Sequence, residues 1–143
     1  MSDPDCIFCA ILAGDVPASI VHEDGETVAF LDISPITPGH TLVVPRGHAA
    51  SLAELDPAAG SAVFRTGMRV AEALRATDLR ADGVNLFVSD GAAAGQEVPH
   101  VHLHVIPRFP GDGLRIQASA GQPSREELDA AAGAIRAALA AQR

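Results

Sequence analysis

Short blocks of apolar residues, broken by glycine, proline and acidic residues, run along most of the chain. Residues 6–13 are mainly apolar and end at Gly14, Asp15 and Pro17; this reads as one or two helical turns. Residues 20–22 and 27–31 flank Glu23-Asp24-Gly25-Glu26, the pattern of a hairpin turning at Asp-Gly. Residues 33–39 carry Pro35, Pro38 and Gly39 and predict a loop, and residues 41–44 predict a strand stopped by Pro45. Asp56 is suited to cap a helix whose first residue is Pro57. Val63, Gly67, Val70 and Leu74 then recur at helical spacing, with Ala59 and Ala71 on the same side, so the helix should run to about Thr77. A turn at Asp82-Gly83 leads into a strand over 84–88, a Gly/Ala-rich loop covers 90–95, and 98–107 is the most strand-like stretch of all. Ser124-x-x-Glu127 is a capping box that opens a last helix with Leu128, Ala131, Ile135 and Leu139 on one face. Consecutive strands with one central helix predict an α+β fold, an antiparallel sheet of about five strands in one domain spanning 1–143.

The chain has 143 residues, enough to bury roughly two thirds of its unfolded surface without disulfides. Aromatic residues make up only 3%, with no Trp or Tyr, so the core must be built from aliphatic side chains and Phe. The net charge of −8 excludes a broad duplex-binding surface, which needs many cations to displace counterions. It permits a small anionic ligand in a local polar site. All ten basic residues are Arg, which removes Schiff-base, P-loop and covalent lysyl-nucleotide chemistry. Any phosphate must be handled by His, Arg or backbone N–H groups. The first five residues are polar and no apolar run approaches the ~20 residues of a membrane span. The expectation is therefore a cytoplasmic protein with neither membrane nor nucleic-acid partner. In such a compartment the pair Cys6 and Cys9, spaced Cys-x-x-Cys, suggests metal binding or redox chemistry, or free buried thiols.

The strongest chemical signal is His100-Val101-His102-Leu103-His104-Val105-Ile106. Strand alternation would send the three histidines to one face, ~7 Å apart along the chain, and the apolar residues to the other. Imidazole titrates near neutrality and can serve as nucleophile, base or acid. A neutral imidazole can attack phosphorus and form a covalent intermediate that water later hydrolyses. A three-His zinc site of the hydrolytic kind is the rival reading, and solvent-facing histidines on a half-buried strand are the bland one.

Residues 95–108, with Phe30-Leu31-Asp32-Ile33-Ser34-Pro35 and Pro38-Gly39-His40-Thr41-Leu42-Val43-Val44-Pro45, resemble the motifs of the histidine triad (HIT) superfamily. Within it, the chain is similar to the Hint-like branch and its bacterial members with an N-terminal Cys-x-x-Cys. The resemblance spans residues 6–115 and leaves a C-terminal helical extension over 123–142. It implies a HIT-like fold with one long helix and short terminal helices.

The resemblance also implies roles. His102 would be the nucleophile, His104 a hydrogen-bond partner of phosphate oxygens, and His40 a support for the triad. Asp32 would hold the ribose hydroxyls, the plain alternative being an Asp that caps the turn before Ser34-Pro35. Gln96 would lie near the scissile phosphate, with Gly95 allowing close backbone approach. Ser89 stands where relatives often carry Asn, and Glu97 where eukaryotic Hint proteins carry a hydroxyl residue. Ile7, Phe8, Leu31 and Ile33 are candidate walls for the nucleobase. Bacterial relatives suggest that His48 and His100 join Cys6 and Cys9 in a closed, structural zinc site, with no metal required for the chemistry. His22 has no assigned role. The implied partner is a purine nucleotide resembling AMP, as substrate or product, and the implied assembly is a homodimer using the Ala/Val face of the long helix. The substrates would be nucleoside 5′-phosphoramidates, nucleotidylated amines or dinucleoside polyphosphates. A non-catalytic nucleotide-binding module and a zinc hydrolase using the triad as ligands are the alternatives.

Overall fold

The computed structural model describes residues 2–115 and 118–142. Five strands form one antiparallel sheet: β1 (Ile20–Glu23), β2 (Thr27–Leu31), β3 (Thr41–Pro45), β4 (Gly83–Phe87) and β5 (Leu103–Arg108), in the order β1-β2-β3-β5-β4. Three α-helices accompany it: α1 (Ile7–Leu12), α2 (Pro57–Ala76) and α3 (Arg125–Ala140). The hairpin turns at Asp24-Gly25 as its composition requires, with Asp24 Oδ1 accepting from the backbone N–H groups of Glu26 and Thr27.

Alternation divides the sheet into two faces. One face presents Ala29, Val43, Leu103 and Val105 to the stripe of α2 that carries Val63, Val70 and Leu74. The helix is set by its sequence: Asp56 accepts from the N–H of Ala58 at 2.8 Å, and Pro57 occupies the first turn. Gly67 lets α2 approach closely, since a Cβ there would meet Leu103 Cδ2 at 2.4 Å. The Val face expected to pair two copies is thus consumed inside the protomer. The large apolar residues that α2 leaves outside are Phe64 and Met68.

The other face of the sheet carries Val28, Phe30, Leu42 and Val44, packed against Cys6, Phe8 and Cys9 of the N-terminal segment. Helix α3 lies within the helical extension expected over 123–142. Ser124 Oγ accepts from the N–H of Glu127 at 3.1 Å, and none of its residues is buried.

One strand boundary differs from expectation. Pairing along β5 begins at Leu103, opposite Val43, rather than near Val98. The next positions on β3 lead to Pro45, which has no N–H to give the ladder, and the N–H of Val101 turns instead to the carbonyl of Ala49 at 2.8 Å. His100 and His102 therefore precede the paired strand, and His104 lies within it.

Candidate active site

A cleft of about 680 Å³ opens on the face of the sheet opposite α2. Its apolar wall includes Ile7, Phe8, Leu31 and Ile33, the four residues expected to flank a base. Its polar floor is Asp32, His40, His102 and His104, and Ser89, Gly95 and Glu97 stand at its far side. No Arg lines it among the described residues, so an anionic group inside would meet histidine, serine and backbone donors rather than a guanidinium. His22 sits apart, hydrogen-bonded to Asp24 at 3.0 Å.

The triad does not act as one row of equivalent rings. His102 and His104 are neighbours, with ring centroids 4.9 Å apart. His100 is fully buried and its ring points away to the cysteines. Its backbone still serves the site: the carbonyl of His100 lies 2.7 Å from His102 Nδ1. A carbonyl can only accept, so Nδ1 of His102 carries the proton and Nε2 keeps a free lone pair. Phe8 packs edge-on against His102 at 5.1 Å and against His100 at 5.9 Å.

A second chain of donors fixes the other two rings. The backbone N–H of Ile36 donates to His40 Nδ1 at 3.1 Å. His40 Nε2 therefore holds the proton and donates to His104 Nδ1 at 3.0 Å. This leaves His104 Nε2 protonated, a donor at the floor of the cleft. Burial, reinforced by His102 and His40, pushes the His104 pKa down to about 4, and burial also lowers that of His40. Both are neutral at physiological pH, so the relay holds. Phe87 stacks on His104 with centroids 4.4 Å apart and 16° between the planes.

Asp32 caps the turn before Ser34-Pro35 and also lines the cleft. Its Oδ1 accepts from the N–H of Ser34 at 2.8 Å, capping the turn, while Oδ2 lies 3.7 Å from His40 Nε2. Gln96 is not brought into the cleft. Its amide donates to the carbonyls of Ala50 and Val98, and its oxygen accepts from the N–H of Gly91. It holds the 91–96 loop in place. Gly95 follows the single turn Ala92–Ala94 at φ +90°, a conformation that favours glycine.

Cys6, Cys9, His48 and His100 converge, with one ligand atom from each lying within 4.8 Å of the others. The S···N separations are 3.4, 3.5 and 3.6 Å and the His48–His100 Nδ1 separation is 3.3 Å. A tetrahedral zinc with Zn–S of about 2.3 Å and Zn–N of about 2.0–2.1 Å has S···N edges of about 3.6 Å and N···N edges of about 3.3 Å. The outer contacts agree as well. His100 Nε2 donates to the Pro45 carbonyl at 3.0 Å, and His48 Nε2 lies 3.5 Å from Asp3 Oδ2, leaving both Nδ1 atoms as lone-pair donors. The sulfurs accept from the backbone N–H groups of Asp3 and Cys9. Burial pushes the Cys6 thiol up, a cost that a divalent cation offsets. These four residues fit a closed metal centre. Asp32, His40 and His104 also cluster, but the proton on His40 Nε2 closes that atom to a metal.

Sequence reasoning missed Phe87 over His104, Ile36 as the donor that orders the relay, and Asp3 behind His48. Only Phe87 left a sequence signal, as an aromatic at the end of a predicted strand.

The chain is similar to known proteins over most of its length. The HIT domain profile matches residues 13–111. An uncharacterized HIT-like protein of Mycobacterium tuberculosis is 45% identical over 139 residues, 96% of this chain and 94% of that protein. The crystal structure of a zinc-bound histidine triad family protein from Mycobacterium smegmatis superposes with a TM-score of 0.75 at 43% identity, covering 94% of this chain and 97% of that one. An adenylylsulfatase of Arabidopsis thaliana is 38% identical over 111 residues, 77% of this chain and 55% of that protein.

Proposed function

The chain belongs to the HIT family of nucleotide-binding hydrolases and transferases, and from that premise we propose that it cleaves nucleotides at the α-phosphate through a covalent intermediate on His102. The observation that carries this reading is the 2.7 Å contact of His102 Nδ1 with the His100 carbonyl, which leaves Nε2 free to attack. As the Nε2–P bond forms, the bond from phosphorus to the leaving group breaks, and an amine leaving group departs carrying a proton taken from solvent water. The ring then bears positive charge, which the carbonyl stabilises. The Nε2–H of His104 donates to a phosphoryl oxygen. Water next attacks phosphorus, the Nε2–P bond breaks, and a nucleoside monophosphate resembling AMP leaves. Asp32 accepts hydrogen bonds from the ribose hydroxyls, and Ile7, Phe8, Leu31 and Ile33 sandwich a purine. Ser89 and the N–H of Gly95 serve the phosphate; Gln96 serves it by holding the loop that carries Gly95.

The substrates are nucleoside 5′-phosphoramidates and related nucleotidylated amines, with dinucleoside polyphosphates as the other class. That no arginine lines the cleft among the described residues favours a neutral or cationic leaving group over a polyphosphate. Cys6, Cys9, His48 and His100 would hold a structural zinc, which would tie the N-terminal segment to the sheet and make no bond to the substrate. The chain works in the cytoplasm as a homodimer, paired through the exposed Phe64 and Met68 of α2 and the edge strand β4. Among the described residues no helix is long and apolar enough to cross a membrane.

Rapid acid-free quenching of a turnover mixture with adenosine 5′-phosphoramidate, followed by peptide mass spectrometry, tests the intermediate. An adenylyl adduct on His102 is expected. Turnover with no adduct on any histidine, in a burst that releases product, overturns the covalent route.

A further inference from the structure

The cysteine–histidine cluster and the nucleophile are joined most directly through His100. His100 offers its ring to the cluster, with Nδ1 3.5 Å from Cys6 Sγ and 3.6 Å from Cys9 Sγ. The same residue offers its carbonyl to His102 Nδ1 at 2.7 Å. Its Nε2 is tied to the Pro45 carbonyl at 3.0 Å. The ring is thus held at both nitrogens, and its side is closed by Phe8 and His48. The His100–His102 segment lies outside the strand ladder, so the sheet does not supply the same restraint. A second link is Phe8, which sits between the two cysteines in α1 and rests against His102 at 5.1 Å.

Resting on the covalent reading of His102, we propose that His100 is a positioning residue: its ring, anchored in the Cys6–Cys9–His48 cluster, holds the carbonyl that fixes the tautomer of the nucleophile. Loss of the metal would free the ring, let the 99–102 segment shift, and allow the proton of His102 to occupy either nitrogen. Attack requires the lone pair on Nε2, so the fraction of ready nucleophile falls while the base and ribose contacts stay. The metal centre then acts on kcat rather than on substrate binding, with no part in the bond-making step.

Nitrogen-15 NMR of the His102 ring, assigned with a His102→Gln control, reads the tautomer without any turnover. Zinc-loaded protein should show one protonated Nδ1 and one distinct, unprotonated Nε2. After stripping with a chelator under reducing conditions, the two nitrogens should converge. Turnover of an adenosine phosphoramidate should then fall about tenfold or more in kcat, with KM held within about twofold, as for the loss of a partner behind a reacting group. His100→Ala should lose kcat in the same way, and His100→Cys, which returns a fourth ligand, should recover most of it. Cooperative melting monitored by circular dichroism identifies folded samples. If the stripped chain unfolds, the comparison of zinc-loaded His100→Ala with His100→Cys carries the test. The proposal is overturned if the His102 nitrogens stay distinct in folded, metal-free protein, or if folded His100→Ala keeps the wild-type kcat. Absence of turnover in every sample would defeat the covalent reading alone, since the NMR comparison decides the link to the metal centre by itself.

Discussion

His40 Nε2 lies 3.0 Å from His104 Nδ1, and the direction of that hydrogen bond is set from behind by the Ile36 N–H on His40 Nδ1. The pair therefore delivers a neutral donor to the cleft. Replacing His40 with Phe should remove the donor to His104 and free its tautomer. A kcat loss of about tenfold to a hundredfold follows, with folding preserved. Steady-state kinetics on the phosphoramidate checks the size, and His40→Gln, which keeps a donor amide, should lose less.

The low His104 pKa makes a prediction about stability. The folded chain holds His104 neutral down to a pKa of about 4, whereas the unfolded chain takes up a proton at about 6.5. Between these values the unfolded state binds the extra proton, so stability is full above about pH 7, declines towards pH 4, and is flat in this respect below it. Urea unfolding across that range should show the decline. His104→Gln should make the profile shallower; an unchanged slope would contradict the burial argument.

Gly67 supports the site from the far side of the sheet. A Cβ there would meet Leu103 Cδ2 at 2.4 Å, one residue from His102. Gly67→Ala gains about 1 kcal/mol of helix propensity, but overpacking of this kind costs typically 1–3 kcal/mol. Net destabilisation is expected by thermal melting, together with reduced kcat. Adding Leu103→Val, which removes the clashing methyl, should restore both.

Gln96 donates to two carbonyls and accepts from one N–H. Gln96→Glu keeps the acceptor and loses both donors. Hydrogen exchange at Gly91 and Gly95 should quicken, and KM should rise more than kcat falls. Unchanged exchange beside a large kcat loss would instead place Gln96 on the reacting phosphate.

Much of this architecture was legible in local chemistry. Asp56, Pro57 and the 3.6-residue recurrence of Val63, Val70 and Leu74 define α2 almost to its ends, and Asp24-Gly25 defines the hairpin. The start of β5 was not legible, because it depends on which strand lies opposite: Pro45 ends the ladder only once β3 is known to pair there. The outward face of α2 failed for the same reason, since periodicity finds an apolar stripe but does not say what covers it. In the site, the spacing of His100, His102 and His104 announced the chemistry. It did not announce that His100 turns its ring to the cysteines and only its carbonyl to His102. Gln96 shows the remaining limit: one of its side-chain partners, the carbonyl of Ala50, lies 46 residues away, and spacing carries no record of it.

The central claim is that His102 Nε2 attacks the α-phosphate without help from a metal. Release of AMP from adenosine 5′-phosphoramidate by freshly chelator-treated, still folded wild type, compared with His102→Ala, tests it most directly. The account predicts that release persists after chelation, at the reduced rate expected of a loosened nucleophile, and vanishes in the variant. Equal release by wild type and His102→Ala, or release that chelation abolishes in folded protein and zinc alone restores to His102→Ala, would contradict it.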